Sequence, residues 1–580
     1  MQTQTSAQPL LKNRYEDSTK EKSEGATYTP AIFADFVAEK IVNNTRILPT
    51  NKTLRVLDPA IGDGELLLHL IGRLLQQDGV NLEVYGFETN EIALNLAKKR
   101  IKQAFPDVQL NFKLHNFLEF VLEHHGCEEN IGLFREEKPE KYDLIIANPP
   151  YVRTQIMGSK QAQMLADQFG LSGRVDLYHP FLLGMARILK PCGTAGIIVS
   201  NRFMTTKSGA SVRKALLTQF NIKHVWDLGD TKLFDAAVLP AVLLLEGKNG
   251  HKLETPKFTS IYQTTKKATT VTVDPIDALS KDGVVAIEDG RCFDIQHGEL
   301  NTSGTIDGVW RISTKEVDTW LSIVKENSWG TFRDIGKVRV GVKTCADKVF
   351  IRSDWNEMQE KERPELIKTL ITHHIARRFK VLPDKPKKIL YPQEVRQGNR
   401  CAIDLSEYPK SRAYLEKHRN ILEKRKYVIE AGREWYEIWV PQDPEAWKQP
   451  KLVFRDISEE PIFWIDLDGS IVNGDCYWLI CKNSSQTDLL WLAVAVGNST
   501  FIERFYDYSF NNKLYAGRRR FITQYVEQFP VPDPQTTIGQ AIITKAKYIY
   551  DNVSSPDINK HQKELDHMIW DAFGLIFEKV

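Results

Sequence analysis

Four consecutive residues, Asn148, Pro149, Pro150 and Tyr151, are the run most suggestive of chemistry. The two prolines remove two backbone donors and hold two φ angles at about −65°. The residue ahead of each proline is driven toward extended geometry as well. The result is a stiff corner, poor in N–H groups, with a side-chain amide at its start and an aromatic ring at its end. It presents acceptors and a flat face. The apolar run before it, Leu144, Ile145, Ile146 and Ala147, reads as a buried strand, so the corner stands at a strand's carboxyl end.

A second cluster lies upstream. In "DPAIGDGELL" (58–67), Gly62 and Gly64 permit a tight turn and close backbone approach. The spacing is not G-x-G-x-x-G, and the turn carries Asp58, Asp63 and Glu65. A loop built to hold phosphate favours the opposite charge balance. A cationic or neutral nucleoside fits better, and S-adenosylmethionine offers a sulfonium, an ammonium and a ribose without phosphate. Glu88 closes the next strand, "VYGFE", where an acidic side chain suits ribose hydroxyls.

These residues need a frame, and the pattern supplies one. Strands are expected at 53–60, 83–90, 142–150, 193–203, 223–230 and 240–247, with helices at 65–77, 91–105 and 176–190. That rhythm predicts an α/β fold, a doubly wound Rossmann-like sheet with ligands at its carboxyl edge. At 580 residues the chain is too long for one core. The expected organisation is a flexible segment 1–24, a catalytic domain 25–255, a connector 256–300 (with 249–275 reading as an edge hairpin or connector), a mixed α/β domain 301–535 and a helical segment 536–580. A hydrophobic content of 42% and a charged content of 26% argue against wholesale disorder. No run is long and apolar enough to span a membrane, and the polar N-terminus lacks a signal-peptide core. The 7 cysteines are scattered without zinc spacing, and no metal is expected. These features predict a cytoplasmic protein. The net charge of +2 excludes a general polyanion binder, but residues 370–430 hold 15 Lys or Arg against 7 Asp or Glu, a local excess suited to a phosphate backbone.

The order of these elements resembles the gamma-class adenine-N6 DNA methyltransferases, the TaqI and Eco57I type. That family carries a Y-T-P element, then the glycine turn, then N-P-P-Y, then a separate target-recognition domain. Here these are Tyr28, Thr29 and Pro30; Asp58 to Gly64; Asn148 to Tyr151; and the region from about 300 onward. The resemblance implies bacterial DNA-associated function, with S-adenosylmethionine as cofactor and double-stranded DNA as partner. It assigns Tyr28 to the cofactor site, and Thr29 and Pro30 to the cofactor's methionine end. Asp58, Ala60 and Gly62 form the turn beneath it. Glu88 takes the ribose, Thr89 flanks the adenine, and Phe117 and Phe181 pack on it. Asn148 and Pro150 border the same site. Asn116 fills the slot where the family usually has an aspartate on the cofactor's amino group, and it can accept the same bond without charge. Phe234, in "FDAAVLPAVLLLE", matches an aromatic that touches the target base.

Such a corner suits an exocyclic amino group. The nitrogen is a poor nucleophile because its lone pair is delocalised into the ring. The Asn148 side-chain oxygen and the Pro149 carbonyl can accept from its two hydrogens, and these bonds strengthen as the nitrogen becomes tetrahedral and positive. Tyr151 gives the base a face to stack on, offsetting part of the cost of flipping it from the duplex.

The second half is rich in aromatics and arginine. "VRVGVKTCADKVFI", "PQEVRQGNR" and "NKLYAGRRRF" are similar to stretches of the family's specificity domain. Arg377, Arg378, Arg396, Arg518, Arg519 and Arg520 are the candidate DNA contacts. The N-P-P-Y element also occurs in protein-glutamine methyltransferases, and an N-P-P-aromatic element in RNA guanine-N2 methyltransferases. The protein-glutamine enzymes lack this second half and the early Y-T-P. A non-catalytic DNA-binding subunit is a further alternative, opposed by the intact motifs. Too few residues precede Tyr28 for a fused nuclease, so methylation without cleavage is expected, as the protective partner of a separate restriction endonuclease.

Overall fold

The computed structural model describes residues 29–45, 53–125, 141–151, 159–172, 176–233, 239–248, 250, 254–268, 270–302, 304–381, 387–510 and 518–577. The chain divides into two compact units, Met1–Ser313 and Thr314–Val580.

The first unit is built on a 12-stranded sheet. Seven of its strands are β1 (Thr53–Asp58), β2 (Asn81–Glu88), β3 (Gln109–Leu114), β4 (Tyr142–Ala147), β5 (Leu189–Ser200), β6 (Phe220–Asp227) and β7 (Pro240–Gly247), in the order β3-β2-β1-β4-β5-β7-β6. β1 pairs in parallel with β2 and β4, and β4 with β5. β7 is antiparallel to both β5 and β6. The helices are α1 (Ala31–Asn44), α2 (Glu65–Leu74), α3 (Glu91–Ala104), α4 (Phe117–His125), α5 (Ser159–Phe169), α6 (Tyr178–Ile188), α7 (Arg202–Thr205) and α8 (Ala210–Gln219). Alternation sorts strand residues to two faces. Val56, Leu144 and Ile146 join one buried cluster with Phe33, Leu67 and Ala97 of α1, α2 and α3. Leu57, Ile145 and Ala147 join the other with Phe117, Leu165 and Leu182 of α4, α5 and α6. Both faces are covered, which is why these strands read as continuous apolar runs.

Two elements depart from the sequence expectation. Helix α1 was not anticipated; it packs tightly on β5, where a Cβ on Gly196 would approach Ile41 Cγ1 to 2.7 Å. The stretch 256–300, expected as a connector, instead extends the sheet. β8 (Lys257–Thr264) pairs in parallel with β6 and antiparallel to β11 (Cys292–Asn301). β9 (Thr270–Thr272) and β10 (Gly283–Ile287) complete that edge, and β12 (Arg311–Ser313) pairs with β11.

The second unit holds two four-stranded sheets. One contains Arg339–Val340, Cys476–Leu479, Lys451–Arg455 and Phe463–Asp466, and the other Ile351–Arg352, Lys387–Leu390, Ile367–Ile371 and Ile471–Val472. The helices Thr537–Asp551 and Ile558–Ala572, expected as a separate tail, belong to this unit's core: Ile542, Ile543, Ile569 and Trp570 pack with Leu490, Ala493 and Phe501. Among the described residues, no helix is long and apolar enough to cross a membrane.

Candidate active site

The carboxyl ends of β1, β2 and β4 lie side by side, because the three strands are parallel neighbours. The turn after β1 is left-handed at Gly62 (φ 57°) and Gly64 (φ 84°), where a Cβ would strain the backbone. It is stapled to β2: Ile61 N donates to Phe87 O at 3.0 Å, and Gly62 N to Glu88 Oε2 at 3.0 Å. The other Glu88 oxygen accepts from Thr89 N at 2.8 Å and Asn90 N at 2.9 Å. The carboxylate expected at the ribose therefore also organises the turn around it, and Thr89 is exposed beside it.

Asp58 is fully buried. Its Oδ1 accepts from Ala60 N at 2.9 Å, and Oδ2 has no hydrogen-bond partner among the described residues. Burial pushes its pKa up to about 8; the Ala60 amide opposes this, while the charges of Glu88 and Asp63 add to it. The other acids of the turn are neutralised locally. Arg100 on α3 binds Asp63 Oδ2 at 2.7 Å and also Glu65, and His69 Nε2 lies 3.2 Å from Glu65 Oε1. This selection among the turn's three acids depends on α3 folding back over the turn, which spacing along the chain does not reveal.

Asn116 caps α4, its Oδ1 accepting from Leu118 N at 2.9 Å. That oxygen is thus already used once, although a carbonyl oxygen retains a second lone pair. Phe117 and Phe181 pack together with ring centroids 5.4 Å apart, both buried within the cluster beneath α4 and α6.

At the end of β4, Asn148 is held on both sides. Its Nδ2 donates to Thr29 Oγ1 at 3.0 Å, and its Oδ1 accepts from the Tyr151 hydroxyl at 2.9 Å. Thr29 and Pro149 are buried; Pro150 and Tyr151 are half-buried. The structure thereby joins the Y-T-P and N-P-P-Y elements, 119 residues apart. Burial raises the Tyr151 phenol above its ordinary range, so it remains a donor. Tyr178 was not anticipated as part of this group. It is fully buried, and its ring meets Tyr151 edge-on at 6.0 Å. Its signal was its place three residues before Phe181. Tyr28 and Phe234 lie outside the described residues.

The flank of the Phe234 segment is described. Asp227, at the end of β6, accepts from Asn201 Nδ2 at 2.9 Å, the Tyr262 hydroxyl at 2.6 Å and Gly229 N at 3.3 Å. Burial raises its pKa to about 6 despite these donors. The network ties the ends of β5 and β6 to β8.

The candidate DNA-binding arginines of the second unit differ from one another. Arg519 is 8% exposed, with Nε and Nη2 each 2.8 Å from Asp507 and Nη1 2.7 Å from Glu459 O. It is a cross-link inside the unit rather than a surface cation. Arg378 pairs with Glu460 at 2.9 Å, Arg396 with Glu394 at 2.7 Å and Arg520 with Asp456 at 3.1 Å. Arg518 is exposed and 3.9 Å from Glu459. Arg377 is exposed, and its guanidinium bonds its neighbour's carbonyl, Ala376 O, at 2.8 Å.

The chain is similar to known proteins over most of its length. Residues 82–234 match the family described as Eco57I restriction-modification methylase, and residues 349–531 the TaqI-like C-terminal specificity domain. The chain is 38% identical over 576 residues to the type II methyltransferase M.BanIII of Aneurinibacillus aneurinilyticus, covering 96% of this chain and 98% of that protein. It is 24% identical over 540 residues to the type II methyltransferase M.BstVI of Geobacillus stearothermophilus, covering 88% and 90%. Among solved structures, the fold is similar to that of the type IIL restriction-modification enzyme MmeI in complex with DNA, with a TM-score of 0.60 at 14% identity over 97% of this chain and 78% of that one. The chain therefore belongs to the Eco57I/TaqI-type restriction-modification methylases, as a type II methyltransferase.

Proposed function

We propose that the protein is a site-specific DNA methyltransferase that modifies the N6 amino group of an adenine flipped out of double-stranded DNA. The observation that carries this reading is the clamped corner. Thr29 and Tyr151 fix both ends of the Asn148 amide, so its oxygen and the Pro149 carbonyl are held before any substrate arrives. Acceptors fixed in advance reorganise little when the amino nitrogen turns tetrahedral and gains charge, which lowers the barrier. The Tyr151 ring, backed by Tyr178, gives the extruded base a face worth roughly 1–3 kcal/mol of stacking.

The residues around the glycine turn fit S-adenosylmethionine. A buried carboxylate oxygen without a partner, Asp58 Oδ2, calls for a cation or a donor. Gly62 leaves open space above the turn, Glu88 stands beside it, and Phe117 and Phe181 supply an apolar wall. Thr29, Pro30, Asp58, Ala60, Gly62, Glu88, Thr89, Asn116, Phe117, Pro150 and Phe181 would hold the cofactor. When bound, it supplies an electrophilic methyl group on its sulfonium. The chain's own residues orient the amino group toward that methyl and stabilise its developing charge.

The match of the second unit to a specificity domain favours DNA over a release-factor glutamine or an RNA guanine. The whole-length likeness to type II methyltransferases favours a catalytic chain working beside a separate endonuclease. Arg377 and Arg518 are the arginines best placed to meet phosphate. Long-read sequencing of a methylation-free bacterial host expressing the chain tests the reading. N6-methyladenine at one defined motif is expected. Modified cytosine, or an unmodified genome despite soluble protein that binds cofactor, would overturn it.

A further inference from the structure

The carboxyl edge carries a second, basic surface close to the N-P-P-Y corner. The last β4–β5 pair is Ala147↔Ile197, yet β5 runs on through Ile198, Val199 and Ser200. At about 3.3 Å per residue that overhang is roughly 10 Å. Asn201 and α7 follow, so Arg202 stands beyond the corner on the same edge of the sheet. Its charge reaches the active-site aromatics. The Tyr178 phenol is raised well above its ordinary pKa by burial and further by Asp176, and the Arg202 guanidinium opposes that rise. Tyr178 is the ring that backs Tyr151.

Arg202 is exposed, and among the described residues its guanidinium meets no carboxylate and no hydrogen-bond acceptor. That sets it apart from Arg73, Arg100, Arg378 and Arg519, each paired with an acid. The backbone beneath it is nonetheless rigid. Arg213, 3% exposed, spends its guanidinium on that segment: Nη1 donates to Phe203 O at 2.5 Å and Thr206 O at 2.8 Å, and Nη2 to Asp307 O at 2.7 Å. Trp310 N donates to Met204 O at 2.9 Å, and its ring meets Phe203 edge-on at 5.3 Å. A Cβ on Gly209 would approach Phe203 O to 2.1 Å, so the turn that follows is equally close-packed. Lys207, also exposed, shares this platform. A buried arginine thus holds a fixed support from which a second arginine projects without an acidic partner.

We propose that Arg202 grips the phosphodiester beside the flipped nucleotide, with Lys207 adding a second cation on the same platform. The inference rests on the reading of DNA adenine as substrate. A base stacked on the Tyr151 ring and bonded to Asn148 leaves its sugar and phosphates at the mouth of the pocket, on the side where β5 overhangs β4. A guanidinium is the group whose planar fork matches phosphate oxygens in pairs. Such a contact positions the target strand without reading sequence.

The test uses the full-length protein and a duplex carrying the sequence it methylates, with Kd measured across a salt series. Arg202→Ala is expected to raise Kd about tenfold and to make the slope of log affinity against log salt shallower by about 1. Lys99→Ala, an exposed lysine on α3, serves as control and leaves both unchanged. Replacing the phosphodiester flanking the target adenine by a neutral methylphosphonate should weaken the wild-type protein by a similar factor and Arg202→Ala hardly at all. Unchanged Kd and slope in Arg202→Ala, or methylphosphonate and mutation costs that simply add, would overturn the contact. If the wild-type protein marks no adenine in DNA, the substrate reading fails and this inference falls with it. That outcome appears before any variant is made, so the two failures are distinguishable.

Discussion

The hydroxyl of Tyr151 donates to the side-chain oxygen of Asn148 at 2.9 Å. Ring and amide are therefore one unit, so the face proposed for base stacking is registered against the proposed acceptor. Thr29 completes the unit from a distant part of the chain. Asn148→Ala should lower the single-turnover methylation rate about 10²- to 10³-fold, the usual cost of removing one transition-state hydrogen-bonding group. Cofactor affinity by calorimetry should change little. Thr29→Val, which frees the amide to rotate, should produce a smaller loss of the same kind. Equal rates in Asn148→Ala and wild type would refute the acceptor role.

The same bond separates two contributions of Tyr151. Tyr151→Phe keeps the ring and should retain base extrusion, read as 2-aminopurine fluorescence at the target position. Its methylation rate should drop by less than that of Tyr151→Ala. Tyr151→Ala loses stacking of about 1–3 kcal/mol and should lose the fluorescence signal. Identical fluorescence in the two variants would show that the ring does not hold the base.

Asp58, proposed to lie beneath the cofactor, should make that site sensitive to pH. Its pKa is about 8 in the fold against 3.8 for an ordinary aspartate. Below about pH 4 the carboxyl is neutral both folded and unfolded, and there is no penalty. Between about 4 and 8 the unfolded chain releases a proton that the fold retains, so stability of the cofactor-free protein declines across that window and levels off above it. A cation placed against Oδ2 favours the ionised form. Cofactor affinity should therefore rise with pH up to about 8, with proton release visible by calorimetry in buffers of different ionisation enthalpy. Asp58→Asn should abolish that dependence; a slope that survives would place the cation elsewhere.

Asp227 behaves in the same direction over a narrower range. Its pKa of about 6 lies above 3.8, so its contribution to stability falls as pH rises from about 4 to about 6. Tyr262→Phe removes one of its donors and should push this window upward. Thermal unfolding should then show a larger loss between pH 6 and 8 in the variant than in wild type, values chosen about one unit either side of neutrality.

Two of the second unit's arginines should fail in different ways. Arg519→Ala leaves half-buried Asp507 without its cation and buried Glu503 with only Arg378, 4.0 Å away, and should destabilise the fold by about 3 kcal/mol. Arg377→Ala should leave thermal stability intact and weaken DNA binding uniformly across sequences. Denaturant unfolding and anisotropy measure the two effects. The reverse pattern would exchange their roles.

Local signals were legible and non-local ones were not. The N-P-P-Y corner and the glycine turn could be read because prolines, glycines and short apolar strands constrain their own neighbourhood. Helix α1 escaped because its buried residues, Phe33, Ala34, Phe36, Val37, Ala38 and Ile41, are nearly continuous and blur the helical period. β8 escaped because Thr259 and Ser260 occupy buried positions where apolar residues mark a strand more clearly. Among Arg518, Arg519 and Arg520, only tertiary structure decides which is buried, since Asp507 and Glu503 come from the helix Thr500–Phe510. Arg202 carried no signal in the sequence; the overhang of β5 and the brace from Arg213 single it out.

The continuity of β6 with β8 matters to anyone recombining these enzymes. Severing the chain near residue 255, where the helix–strand rhythm fades, would strip β8 from β6 and leave a raw strand edge ready to pair with other chains. Chimaeras that graft a relative's specificity region should be spliced at Ser313–Thr314, where the compact units part. A cut there spares the hydrogen-bonded ladder, and the donor and recipient halves each keep a finished sheet.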